Sequence, residues 1–241
     1  MKIQPYEKVA AFYDFLMKKL DYESWSNYII EIADTYLEKK ASVLELGAGT
    51  CKIADYISKR YKNYVATDIS LQMLKSSKSN SIKKVCCDMR ALPFKNKFNF
   101  IFSNFDCVNY LLKQKHLAQL FEEVFYLLKR DGIFTFDISL EKNSLNFQTG
   151  KSVEGNYNGY SFRRVSQYNE LSRMHTNKFY ISDKQGKYFT ETHKEKIYNL
   201  ETFFKLADKS GLNVEACYDC FTFNDIKQKS ERAQFVMRKI N

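Results

Sequence analysis

The chain has 241 residues, is 44% hydrophobic and 16% aromatic, and carries a formal net charge of +10. A chain of this length buries one sizeable core with at most a small appendage, and its apolar content excludes a disordered protein. No run approaches about 18 apolar residues, so no helical membrane span is expected, and the stretch from Met1 to Leu20 lacks the apolar core of a signal peptide.

The first elements predicted are helices over 7–19 and 22–38, the second from Trp25, Ile29, Ile32, Ala33 and Tyr36 at helical spacing. A strand at 42–46, a helix at 52–60, a strand at 64–67 and a helix at 70–77 follow. Strands are predicted at 83–87 and 98–103, then a helix at 114–129 ended by Asp131-Gly132, and a strand at 133–138. Phe98 to Ser103 is almost continuously apolar, as in a sheet covered on both faces. This alternation predicts an α/β domain with a mostly parallel sheet.

Beyond that point the pattern changes. Residues 153–198 are rich in aromatic and β-branched side chains and predict an antiparallel meander of three strands, at 159–168, 173–182 and 187–197. Turns are expected at Asn169-Glu170 and at Asp183-Lys184-Gln185-Gly186. A helix at 199–210, closed by Gly211, and paired strands at 213–222 and 234–240 complete the main sheet. With two prolines, eight glycines and no low-complexity linker, a single domain 1–241 is expected. It divides into a helical cap (1–40), a ligand-binding half (41–140), an inserted β lid (151–198) and the final helix and strands (199–241).

The six cysteines (51, 86, 87, 107, 217 and 220) fall mostly in apolar, strand-like runs, which predicts buried thiols in a reducing, cytoplasmic compartment. Cys217-Tyr218-Asp219-Cys220 has ligand spacing, but residues three apart on a strand face opposite ways and no second pair follows, so no metal site is expected.

Chemistry is concentrated in Val43-Leu44-Glu45-Leu46-Gly47-Ala48-Gly49-Thr50, a buried strand that turns through two glycines into a helix. Such a turn lets a ligand approach the backbone closely and offers it free N–H groups. Both dinucleotides and S-adenosylmethionine (SAM) use this geometry. Here Lys52 occupies the place of a dinucleotide site's third glycine, and Glu45 stands two residues before Gly47, which favours SAM. The residues just past the next strands are Asp68-Ile69, Asp88-Met89 and Asn104-Phe105-Asp106. Ligands of open parallel sheets bind there. Asp68 could accept two ribose hydroxyls and Asp88 an adenine amino group, with Ile69 and Met89 against the purine. Each acid alone could equally cap the next helix or turn.

Four stretches carry a family resemblance: Val43–Thr50; Thr67-Asp68-Ile69-Ser70 with Met73-Leu74; Cys87-Asp88-Met89-Arg90; and Gly132-Ile133-Phe134-Thr135-Phe136-Asp137. With these the sequence resembles the class I SAM-dependent methyltransferases over nearly its whole length. It resembles above all small bacterial members with a β insertion, a group that includes sugar N,N-dimethyltransferases. Tyr6…Ala11-Phe12-Tyr13-Asp14 with Tyr22…Trp25, Asp106-Cys107-Val108-Asn109-Tyr110-Leu111, and Phe189-x-Glu191-x-His193…Tyr198 also look like that group. The resemblance implies a Rossmann-like class I methyltransferase fold, a seven-stranded sheet with an inserted meander. It implies SAM as methyl donor, leaving S-adenosylhomocysteine (SAH). The implied cofactor residues are Tyr13, Tyr22, Trp25, Glu45, Gly47, Ala48, Gly49, Thr50, Asp68, Ile69, Met73, Asp88, Met89, Asn104 and Phe105. Tyr13 is expected over the sulfonium region. Asp106 could accept a proton or pair with an amine, or else cap 107–112. His193, on a strand face with Phe189, Glu191, Glu195 and Ile197, could be a general base or face solvent on the lid.

Three departures stand out. Cys51 replaces a usual third glycine, and a right-handed helical φ is expected to accommodate its Cβ; Asn99 replaces an acid at the far end of its strand; Lys196 replaces an arginine. The acceptor expected is a small molecule at N or O, since nine aromatics from Tyr157 to Tyr198 could roof a pocket. Ten basic residues against two acids over 59–97 raise an RNA methyltransferase as the alternative. No base-gripping Asn/Asp-Pro-Pro motif supports it, because the chain reads Ser103-Asn104-Phe105-Asp106. A non-catalytic SAM- or SAH-binding module is the third alternative, and a dehydrogenase the weakest.

Overall fold

The structure, a computed structural model, describes residues 1–37 and 41–239. A 3-10 turn η1 (Val9–Ala11), α1 (Tyr13–Leu16) and α2 (Tyr22–Tyr36) precede β1 (Ser42–Leu46). Then come α3 (Lys52–Arg60), β2 (Asn63–Asp68), α4 (Leu71–Ser76), β3 (Lys83–Cys86), β4 (Phe98–Ser103) and a 3-10 turn η2 (Cys107–Tyr110). The chain continues through α5 (Gln114–Leu127), β5 (Leu128–Ser139), α6 (Glu141–Leu145), β6 (Lys151–Tyr157), β7 (Tyr160–Asn169), β8 (Met174–Ser182) and β9 (Tyr188–Lys196). It closes with α7 (Leu200–Lys209), β10 (Leu212–Asp219) and β11 (Arg232–Lys239).

Seven strands form the main sheet in the order β10-β11-β5-β4-β1-β2-β3. Four neighbouring pairs are parallel, and β11 runs antiparallel between β5 and β10. The chain moves outward from β1 through β2 to β3, then returns to place β4 on the other side of β1. That reversal is the topological switch point, where the strand ends splay and leave a crevice. Apolar side chains cover both faces. On one, Leu44, Leu46, Ile101 and Phe134 meet Leu117, Leu120, Phe121 and Val124 of α5. On the other, Val43, Phe100 and Phe102 meet Ile29, Ile32 and Ala33 of α2 and Ile53, Ala54 and Ile57 of α3. Each helix buries a single stripe, which its 3.6-residue period supplies.

The insertion is a separate antiparallel sheet, β6-β7-β8-β9. It has four strands where three were expected. β6 was missed because Lys151-Ser152-Val153-Glu154-Gly155-Asn156-Tyr157 is nearly all exposed and shows no buried period. Phe162, Phe179, Ile181 and Phe189 of its inner face pack on Val9 and Phe12. The expected 7–19 helix is broken accordingly into η1 and the single turn α1. Phe12 turns to the lid while Tyr13 turns to the cavity of the main sheet. Tertiary contacts override local helical spacing there.

Other boundaries move by a few residues. The last residue of the expected helix 22–38, and of the expected strand 234–240, lies outside the described residues. The described cysteines are free thiols, Cys51 buried as expected, but Cys86 exposed and the rest half-buried.

Candidate active site

A cavity of about 680 Å³ opens at the carboxyl ends of β1, β2, β3 and β4. It is built around the turn after β1. Gly47 and Gly49 have φ of +71° and +56°. A Cβ on Gly47 would lie 2.6 Å from the Cys107 sulfur, and one on Gly49 would lie 3.1 Å from Met73 Cε. Both positions therefore need glycine for backbone shape and for space. Ala48 N–H donates to Thr67 O at 2.8 Å, which ties the turn to β2. Cys51 differs from expectation: its φ is +61°, left-handed rather than right-handed. It is a glycine-type position filled by a fully buried thiol, whose pKa burial pushes up to about 12, so it stays protonated.

Three acids face this turn. Asp68 accepts Gly49 N–H at 2.8 Å through one oxygen and Ser70 N–H at 2.7 Å through the other, so it shapes the glycine turn as well as lining the cavity. Burial raises its pKa against those two hydrogen bonds. Each oxygen keeps further acceptor capacity for hydroxyls. Asp88 is held by Arg90, whose Nε donates to it at 2.9 Å, and this contact lowers its pKa. Glu45 is buried, accepts from Tyr64 Oη at 2.8 Å, and is pushed up to about 8 by burial.

The N-terminal segment closes the cavity from above. Thr50 Oγ1 donates to Asp14 Oδ1 at 2.6 Å, and Lys52 Nζ stands 3.3 Å from Asp14 Oδ2. Asp14 thereby docks α1 on the glycine turn and sets Tyr13 beside the cavity. Glu191 of β9 holds the segment from the lid side, accepting the N–H groups of Tyr6, Lys8 and Val9 at 2.7, 2.5 and 3.0 Å. Tyr6 Oη lies 2.6 Å from Tyr110 Oη, and both residues line the cavity. Two buried groups there have no hydrogen-bond partner among the described residues: Tyr22 Oη, and both ends of the Asn104 amide. A buried unsatisfied amide beside a cavity is a group shaped for a ligand.

Fourteen of the expected residues line this cavity: Tyr13, Tyr22, Glu45, Gly47, Ala48, Gly49, Thr50, Asp68, Ile69, Met73, Asp88, Met89, Asn104 and Phe105. Three do not. Trp25 packs its ring against Phe105 and Phe221 and under the Arg232 guanidinium, 5.6 Å away. Asp106, in a left-handed conformation, is ion-paired with Arg232, which also binds Asp137; its carboxylate is committed there, and it makes no side-chain cap on η2. His193 is 2% exposed rather than on a solvent face. Its Nε2 lies 3.1 Å from Glu191, and Nδ1 lies 3.5 Å from Tyr110 Oη. It packs edge-on against the Tyr6 ring, 4.5 Å between centroids, and reaches the cavity through Tyr6 and the Tyr110 hydroxyl. Sequence reasoning passed over Tyr6, Tyr110 and His116 as cavity residues. Tyr6 and Tyr110 stood inside motifs already singled out; His116 had no such signal.

Residues 43–132, which contain the glycine turn, all three acids and β4, match the methyltransferase domain family. YqeM of Bacillus subtilis (strain 168), whose name describes it as a methyltransferase, is 26% identical over 97% of both chains. The crystal structure of an S-adenosylmethionine-dependent methyltransferase from Clostridium acetobutylicum is 24% identical, covers 98% of this chain and 99% of its own, and superposes with a TM-score of 0.82. The chain has the class I SAM-dependent methyltransferase fold. The sugar N-methyltransferase KedS8 of Streptoalloteichus sp. shares the fold at 13% identity, over 94% of this chain and 91% of its own, with a TM-score of 0.78.

Proposed function

We propose that the cavity binds SAM and that the enzyme passes its methyl group to a nitrogen or oxygen of a small-molecule acceptor. The observation that carries this is the unpartnered, buried Asn104 amide facing the Gly47–Thr50 turn, in a cavity whose rim carries Glu45, Asp68 and Asp88. Asp68 would hold ribose hydroxyls. Asp88 and the residues around Met89 would hold the base. Glu45, Tyr22 and Asn104 would meet the polar methionine end. When bound, SAM supplies an electrophilic methyl on a sulfonium sulfur. The chain's own residues then align an acceptor with that methyl and exclude water. Positioning of this kind contributes roughly 7–11 kcal/mol in favourable cases. Tyr13, Tyr6 and Tyr110 would wall the reacting region. The lid over the N-terminal segment favours an acceptor small enough to be enclosed, in keeping with the sugar N-methyltransferase that shares the fold.

Calorimetric titration with SAH tests the donor site. Asp68→Ala should weaken SAH binding by roughly 10- to 100-fold, the worth of charge-assisted hydrogen bonds. Unchanged affinity would refute the placement. Methyl-labelled SAM, incubated with small amines and alcohols and with total tRNA, tests the acceptor class. Label passing to tRNA alone would overturn the small-molecule assignment, and label passing to nothing would leave a binding module.

A further inference from the structure

Arg164 is the group for which the donor site has no use. It lies on the inner face of β7, between Phe162 and Ser166 of the same face, and is paired across the sheet with Phe179 of β8. The residue is half-buried, and its Nε is buried without a hydrogen-bond partner. Among the described residues no carboxylate lies within ion-pair distance of it; the acid whose charge it feels is Glu195, of β9. Glu195 cannot neutralise it well. Burial and the neighbouring Asp106 push the Glu195 carboxyl toward its protonated form, and Asn177 Nδ2 stands 3.5 Å from it. Glu191, the other acid on that face, is spent on three backbone N–H groups and His193. Desolvation accordingly lowers the Arg164 pKa. A desolvated guanidinium without a counter-charge is costly, and a planar five-donor fork is suited to a carboxylate or phosphate.

The surroundings say where such an anion would sit. Tyr110 lines the donor cavity on one side and acts on the Glu195 carboxyl on the other. The Asp106 and Arg232 side chains, whose charges also reach Glu195, keep 18% and 21% exposure. We propose that the inner lid face beside Tyr110 is the acceptor site, and that Arg164 there binds an anionic group, a carboxylate or a phosphate, carried by the methyl acceptor. The proposal rests on the methyl-transfer assignment. It narrows the acceptor to a small acid or phosphate ester whose anion is held at Arg164 while its nucleophilic atom is directed past Tyr110 toward the donor.

The test needs no methyl donor. Thermal unfolding of the full chain is followed in sodium chloride, sodium phosphate and sodium acetate at matched ionic strength, for the parent chain, Arg164→Gln and Arg164→Lys. Phosphate or acetate should raise the parent Tm over chloride by roughly 2–4 °C at about four to five times its dissociation constant. Arg164→Gln should lose the shift, and Arg164→Lys should keep part of it. The larger of the two shifts tells phosphate from carboxylate. No shift with either anion, or a full shift in Arg164→Gln, overturns the proposal. SAH titration runs alongside: equal affinity in parent and Arg164→Gln shows the variant folded. SAH failing to bind any of the three proteins would count against the donor site while the anion result stood by itself.

Discussion

Cys51 shows how one side chain can record two opposed requirements. Its φ of +61° costs an L-residue about 1–2 kcal/mol relative to glycine, yet its sulfur is fully buried among the packed side chains of α2, α3 and the sheet. Cys51→Ala keeps the strained backbone and loses the sulfur, so urea unfolding should show a loss of about 1–2 kcal/mol. Cys51→Gly sheds the strain as it sheds the sulfur, and should fall closer to the parent. An alanine variant as stable as the glycine variant would mean that the strain is not there. The sequence displayed the missing glycine but not the sign of φ. A cap residue can enter a helix from either side of the Ramachandran map, and the Gly49 turn before it decides which.

At the scale of elements, the N-terminal segment is shaped from outside. Five of its residues, Tyr6, Val9, Phe12, Tyr13 and Asp14, go to four different partners: Glu191, the lid, the cavity and the glycine turn. No regular helix could direct those side chains so and also give up those backbone N–H groups to Glu191, which is why helical spacing misled there. Glu191 is the anchor, a buried carboxylate accepting three backbone N–H groups. Glu191→Gln leaves one oxygen to do the work of two and turns an amide N–H₂ toward N–H donors. It should cost about 3–5 kcal/mol, the usual loss when one member of a buried charged network is removed. Hydrogen exchange should show Tyr6, Lys8 and Val9 losing protection while β1 and β4 keep theirs. Retained protection at Tyr6 would remove Glu191 from that role. β6 carries the converse lesson: paired on one side and exposed on both faces, it left no hydrophobic period to read.

Across the whole molecule, several acids are buried or half-buried. Glu45, Asp68, Asp137 and Glu195 all have raised pKa values, with burial the first cause in each. For Glu45 the sign follows directly. Its folded value of about 8 lies above the ordinary value of 4.5, so between these pH values the folded state holds a proton that the unfolded state has lost. Stability contributed by this group is full below that window and declines as pH rises through it. Asp88 and Asp183, with lowered pKa values, act oppositely and only in acid below the ordinary carboxylate range. The Tm should therefore fall from pH 6 to pH 8.5, and Glu45→Gln should flatten that slope. Identical slopes in the two proteins would show that Glu45 does not titrate where its burial places it.

The sequence by itself determined the α/β core, the order along the chain of strands 42–46 through 133–138, and most of the cavity lining at the switch point. These are legible because they are local: a buried strand, its glycine turn and the acid at its end lie within a few residues of one another, and each strand end delivers its own contribution to the switch point. What only the tertiary structure decided is which polar groups are already taken. Asp106 and His193 have the right chemistry in sequence, yet Arg232 lies 126 residues from one and Tyr6 far from the other. An ion pair or ring contact across that separation leaves no mark on local spacing. The same holds in reverse for Arg164, whose interest lies in having no close carboxylate among the described residues, a property that exists only once β7, β8 and β9 are assembled.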